Sequence, residues 1–83
     1  MPDHLLTFEL AKDGEELLIH ANSAGLRYLA SVLTRLAQHA EAGHKEHTHL
    51  MTEDWSGHEL SSIAQDSDST LLHQVTIHGW PTK

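Results

Sequence analysis

The chain predicts an α+β fold. It reads as a two-layer sandwich: a mainly antiparallel sheet of four to five strands with one helix on one face, in the order ββαββ. Three observations carry this. A period-2 apolar alternation opens the chain, one long stripe at spacings of three and four fills its middle, and two alternating runs follow. Eighty-three residues make a single domain, 1–83, near the lower limit of what folds alone.

In order, Leu6, Phe8 and Leu10 alternate with Leu5, Thr7 and Glu9, the mark of a strand with one buried face. Asp13-Gly14 is a hairpin signal, because glycine and aspartate tolerate positive φ. Glu16 to Ala21 reads as the return strand, with Leu17 and Ile19 directed at the core. Asn22 or Ser23 suits a helix N-cap, since a short polar side chain accepts bonds from orphan amides. Leu26, Leu29, Ala30, Leu33, Leu36, Ala37 and Ala40 then form a helical stripe, and Gly43 ends it.

Glu46 to Thr52 alternates as a third strand, and Trp55-Ser56-Gly57 reads as a turn. His58 to Ile63 fits a short strand or an irregular edge. Gln65 to Ser69 is a polar loop with no structure of its own. Leu71 to His78 is the last strand, which Gly79-Trp80-Pro81 terminates because proline cannot extend a ladder. Trp80 is expected to close the core. One helix covers one face of such a sheet, so the other face is expected to be solvated or used for contact.

The charge is −7 and unevenly spread. From Glu46 to Thr82 there is no lysine or arginine, only Glu46, Glu53, Asp54, Glu59, Asp66 and Asp68. A surface of one sign repels phosphate backbones and anionic lipid and attracts basic proteins. We therefore expect no nucleic-acid partner and no membrane partner. The absence of cysteine removes thiolate chemistry and fits a reducing compartment. The N-terminal residues lack the basic and apolar regions of a signal peptide, so the expected location is the cytoplasm. A small two-layer domain gains stability by pairing, which makes a homodimer compatible with any function.

The densest chemistry lies in His47-Thr48-His49-Leu50-Met51-Thr52-Glu53-Asp54-Trp55-Ser56-Gly57-His58-Glu59-Leu60. It puts three histidines, three carboxylates and a tryptophan into fourteen residues with no basic side chain. Tryptophan beside carboxylates is the composition of an interface hot spot on an acidic surface, either exposed in a turn or plugging a small core. The candidate contact residues are Glu53, Asp54, Trp55 and Glu59, bordered by His47 and His49.

The competing reading is a metal site. His47-X-His49 on a strand sets two imidazoles on one face about 7 Å apart, and Glu53 would be a third ligand. The simpler account of nine histidines is that amphipathic imidazoles suit a partly buried contact surface, with His20, His47, His49 and His78 on one sheet face. Ser56, Ser61 or Ser62 near His58 and Asp54 lack a nucleophile-elbow context, so no catalytic residue and no cofactor is expected.

The pattern of Gly25-Leu26-X-X-Leu29, His47-X-His49-Leu50, Met51 to Gly57, Glu59-Leu60 and Val75-X-Ile77-X-X-Trp80 resembles a known family. It is similar to the small immunity proteins numbered 32 among those of bacterial polymorphic-toxin systems, over about Leu17 to Trp80. The resemblance implies a non-enzymatic protein that binds and neutralises a cognate toxin. Its acidity suits a basic toxin such as a nuclease.

Overall fold

The computed structural model describes residues 4–81. Its elements run β1 (Leu6–Leu10), β2 (Leu17–Ala21), α1 (Ser23–Glu41), β3 (Glu46–Met51), a 3-10 turn (Glu53–Trp55), β4 (Thr70–Leu71) and β5 (Gln74–Gly79). The class is α+β, as the alternations and the single helical stripe predict. In the first hairpin Gly14 takes φ +75 and its N–H donates to the Ala11 carbonyl (2.8 Å). Asn22 is the N-cap of α1, and its Oδ1 accepts from the amides of both Gly25 (2.8 Å) and Leu5 (3.1 Å). One side chain thus ties the helix start to the entry of β1. Beyond the helix, Gly43 adopts φ +89 and its amide caps the Ala40 carbonyl (3.0 Å).

The strands divide between two sheets where the sequence predicts one. The first has the order β2-β1-β4 and the second pairs β3 with β5, every pair being antiparallel. The expected last strand, Leu71 to His78, is broken at Leu72 and His73. Leu72 N–H still donates to the Phe8 carbonyl (2.9 Å), whereas the next carbonyl, that of His73, accepts from Thr52 N–H (2.9 Å). The chain passes from β1 to β3 within two residues, and an unbroken strand could not serve both partners. The segment His58 to Ile63 is an irregular edge, joined to Thr52 by one parallel bridge at Leu60.

Leu6, Phe8, Val32, Leu36, Leu50 and Leu60 form the core between the helix and the sheets. Leu60 lies outside any strand yet is fully buried. Replacing it with alanine is expected to cost about 2–5 kcal/mol, because the buried methyls leave a cavity that strand and helix cannot close. Urea denaturation checks this, and a cost under about 1 kcal/mol would show that the segment around Leu60 collapses into the gap.

Three expectations about facing are corrected. Leu17 and Ile19 stay about half exposed on β2, the outer strand of its sheet. Trp80 does not close the core: it is 64% exposed. And β1 is buried on both faces rather than one, with Thr7 and Glu9 as inaccessible as Leu6. The polar loop from Gln65 to Ser69 accounts for the third, since it folds onto the Glu9 carboxylate from the side opposite the helix.

Four donors surround that carboxylate. Thr7 Oγ1 (2.5 Å) and the Gln65 amide (2.9 Å) donate to Oε2, while the Asp66 amide (3.2 Å) and the Ser69 hydroxyl donate to Oε1. Burial alone would raise the Glu9 pKa. The bonds from Ser69, Thr7 and the two amides outweigh it and hold the group at about 2, below its ordinary 4.5.

Candidate functional site

Strand β3 delivers the densest stretch of the sequence to the surface. Leu50 points into the core, so by alternation His47 and His49 emerge on the opposite face, both exposed. Cross-strand pairing sets His47 against His78 and His49 against Thr76. The ring of His47 meets His49 edge-on (centroids 5.0 Å apart) and lies tilted to His78 (5.4 Å). His49 Nδ1 is 2.8 Å from Thr76 Oγ1 and 3.2 Å from Gln74 Nε2, which fixes its ring.

Trp80 continues this face, its ring 6.4 Å from that of His78, and Lys45 Nζ sits 4.3 Å above the indole. The sequence pointed to His78 on this surface but not to Trp80 or Lys45. The spacing His78-X-Trp80 across the end of β5 is the signal that would have found the tryptophan. His20 does not join them. It lies on β2 of the other sheet, opposite Thr7, with Nε2 buried and unpartnered among the described residues.

The acidic turn follows β3 directly. Glu53 and Asp54 are exposed, and the Asp54 amide donates to Ser62 Oγ (3.1 Å). Trp55 is 53% exposed, its inner face stacked on His73 at 5.2 Å and 8°. His73 Nδ1 lies 2.7 Å from Thr52 Oγ1, so the stacking base is itself held. Ser56 turns the chain back through φ 67, and the Gly57 amide closes the turn onto the Thr52 carbonyl (2.9 Å).

Glu59 is placed differently from its neighbours. Half-buried, it turns its Oε1 onto the Met51 amide (3.0 Å). Its charge also faces Tyr28, whose phenol is raised by burial first and by Glu59 second, with Arg35 opposing.

The six residues therefore sit on or just after one strand: His47 and His49 on its open face, Glu53 to Trp55 in the turn it feeds, and Glu59 against its end. As for the competing reading with His47, His49 and Glu53, no three His, Asp or Glu side chains among the described residues are grouped to hold a metal ion. Among the same residues no helix is long and apolar enough to cross a membrane.

With this geometry in view, comparison with known proteins assigns the family. The profile described as Immunity protein 32 matches residues 16–78, well over half of the chain. The chain belongs to the immunity protein 32 family. Membership in an immunity family carries a toxin-neutralising role, and such families are generally non-enzymatic. The match runs from β2 into β5 and includes His47, His49, Glu53, Asp54, Trp55 and Glu59, while Trp80 lies just beyond it. No curated protein and no solved structure matches the chain.

Proposed function

We propose that this immunity protein neutralises a cognate toxin by direct binding, with no chemistry of its own, through the acidic turn and the β3 face beside it. The observation that carries the reading is the family match, and the exposed tryptophan that follows two carboxylates supports putting the contact at this turn. Trp55 supplies a large apolar surface already oriented by His73, so docking costs little ordering entropy. Glu53 and Asp54, within a stretch free of lysine and arginine, favour a basic partner, and a nuclease toxin acting in the cytoplasm is the class that fits. The partner residues are then Trp55, Glu53 and Asp54 at the centre, His47 and His49 at the flank, and Glu59 bracing the turn from beneath.

The test is titration against a candidate toxin domain taken from a reading frame adjacent to the one for this protein. Trp55→Ala is expected to weaken binding by roughly 30-fold or more, the scale of a hot-spot residue. Asp54→Lys is expected to slow association by about tenfold at low salt, with the difference shrinking as salt screens it. Failure of the unmodified protein to bind that domain, or to protect cells expressing it, would end this reading.

A further inference from the structure

The hydrogen-bond pattern of β3 fixes which of its backbone groups face β5 and which face away. Thr52 N–H donates to the His73 carbonyl directly across the extension of the β3–β5 register. In an antiparallel ladder such bonded pairs alternate with unbonded ones. Leu50, Thr48 and Glu46 therefore bond to β5, while the N–H and C=O groups of Met51, His49 and His47 point to the outer edge. At Met51 that edge is already occupied. Its amide is taken by Glu59 Oε1 (3.0 Å) and its carbonyl by the Leu60 amide (3.1 Å). The outward groups of His49 and His47 have no such cover among the described residues.

We infer that this stretch of edge is the docking site for a short extended segment of the toxin, which adds to β3 as an extra strand. The inference rests on the toxin-binding reading above and specifies how the contact is made. Edge strands left open are templates for pairing, and proteins ordinarily blunt them with lysine, proline or a bulge. β3 carries none of these, and its sequence is Glu-His-Thr-His-Leu-Met.

Charge selects the occupant. The strand begins at Glu46, after Lys45 whose ammonium lies over the Trp80 ring, and runs into Glu53 and Asp54, so a segment bearing lysine or arginine at alternate positions finds carboxylates toward both ends. Among the other outer strands, β2 holds no charged residue within Leu17–Ala21, has Glu15 and Glu16 before its start only, and exposes Leu17 and Ile19, so it offers carboxylates at one end rather than two. Glu59 also sets the length. Its carboxylate stands where the incoming strand's next carbonyl would be, so pairing stops at His49.

Amide hydrogen exchange on the unmodified protein, alone and bound to that candidate toxin domain, tests this. The His47 and His49 amides are expected to exchange quickly in the free protein. In the complex they should slow by roughly two orders of magnitude. A variant pair provides the second arm. His49→Pro removes an outward N–H that makes no bond to β5, whereas His49→Ala removes the imidazole and keeps the N–H. Proline is expected to weaken binding about tenfold more than alanine.

A formed complex in which both amides stay unprotected overturns strand addition while leaving toxin binding intact. So does protection that appears at Leu17 and Ile19 instead. If His49→Pro does not fold, the exchange result on the unmodified protein decides. No complex at all overturns the toxin-binding reading, and this docking mode with it.

Discussion

Replacing Glu9 with glutamine is expected to destabilise the protein by about 3 kcal/mol at neutral pH. The figure follows from the carboxylate being held at about 2 in the folded chain against an ordinary 4.5, at about 1.4 kcal/mol for each tenfold. Because the folded value is the depressed one, the stabilisation is fully present above about pH 4.5. It is lost as pH falls from there through about 2. Glutamine also fails geometrically, because its amide would turn hydrogens toward a site that already presents four donors. Urea titrations of both proteins between pH 7 and 2 should show the gap narrowing as wild type loses its advantage, most of it below pH 4.5. A gap that stays constant with pH would mean that the charge of Glu9 contributes nothing, and that only its shape matters.

The buried carboxylate also shows where sequence reasoning stops. Helix α1 was legible because its signals are local: Asn22 caps it, leucines recur along it, and Gly43 ends it within a few residues of where the period fails. The same holds for the hairpin at Asp13-Gly14 and for the strand carrying His47 and His49. Glu9 looks, by alternation, like the solvent-facing member of an amphipathic strand. Only contacts 56 to 60 residues away reveal that a polar loop folds over it. The division into two sheets was hidden for a related reason. Nothing in the alternation of Leu71, His73, Val75 and Ile77 records that Leu72 and His73 answer to different partners. Trp80 was misplaced because a large apolar residue at a strand end reads as core, while its ring is in fact shared between Lys45 and His78. Within the candidate site, the acidic turn was legible as composition. That Glu59 faces back onto Met51 while Glu53 and Asp54 lie exposed was not, because all three are equally acidic in sequence.

Gly57→Ala is the second substitution with a large expected effect, and it bears on the site rather than on the core alone. A Cβ there would lie 2.2 Å from the Met51 carbonyl oxygen and 2.6 Å from both its carbon and its Cβ. Two of these three are backbone atoms held in β3, so no side-chain rotation relieves the overlap. The chain after the acidic turn must then move away from β3. Doing so breaks the Glu59 and Leu60 bonds to Met51 and draws Leu60 out of the core. The expected cost is about 3 kcal/mol or more, on the scale of overpacking combined with a lost buried leucine. Gly43→Ala is the control. Gly43 has φ +89 but nothing within 4 Å of a Cβ, so only left-handed strain applies, about 1–2 kcal/mol. The two should also differ in amide exchange. Gly57→Ala releases the Met51 amide from Glu59 and speeds its exchange, whereas Gly43→Ala leaves it protected. Equal destabilisation with Met51 unchanged in both would mean that the close approach at Gly57 does not hold the acidic turn in place.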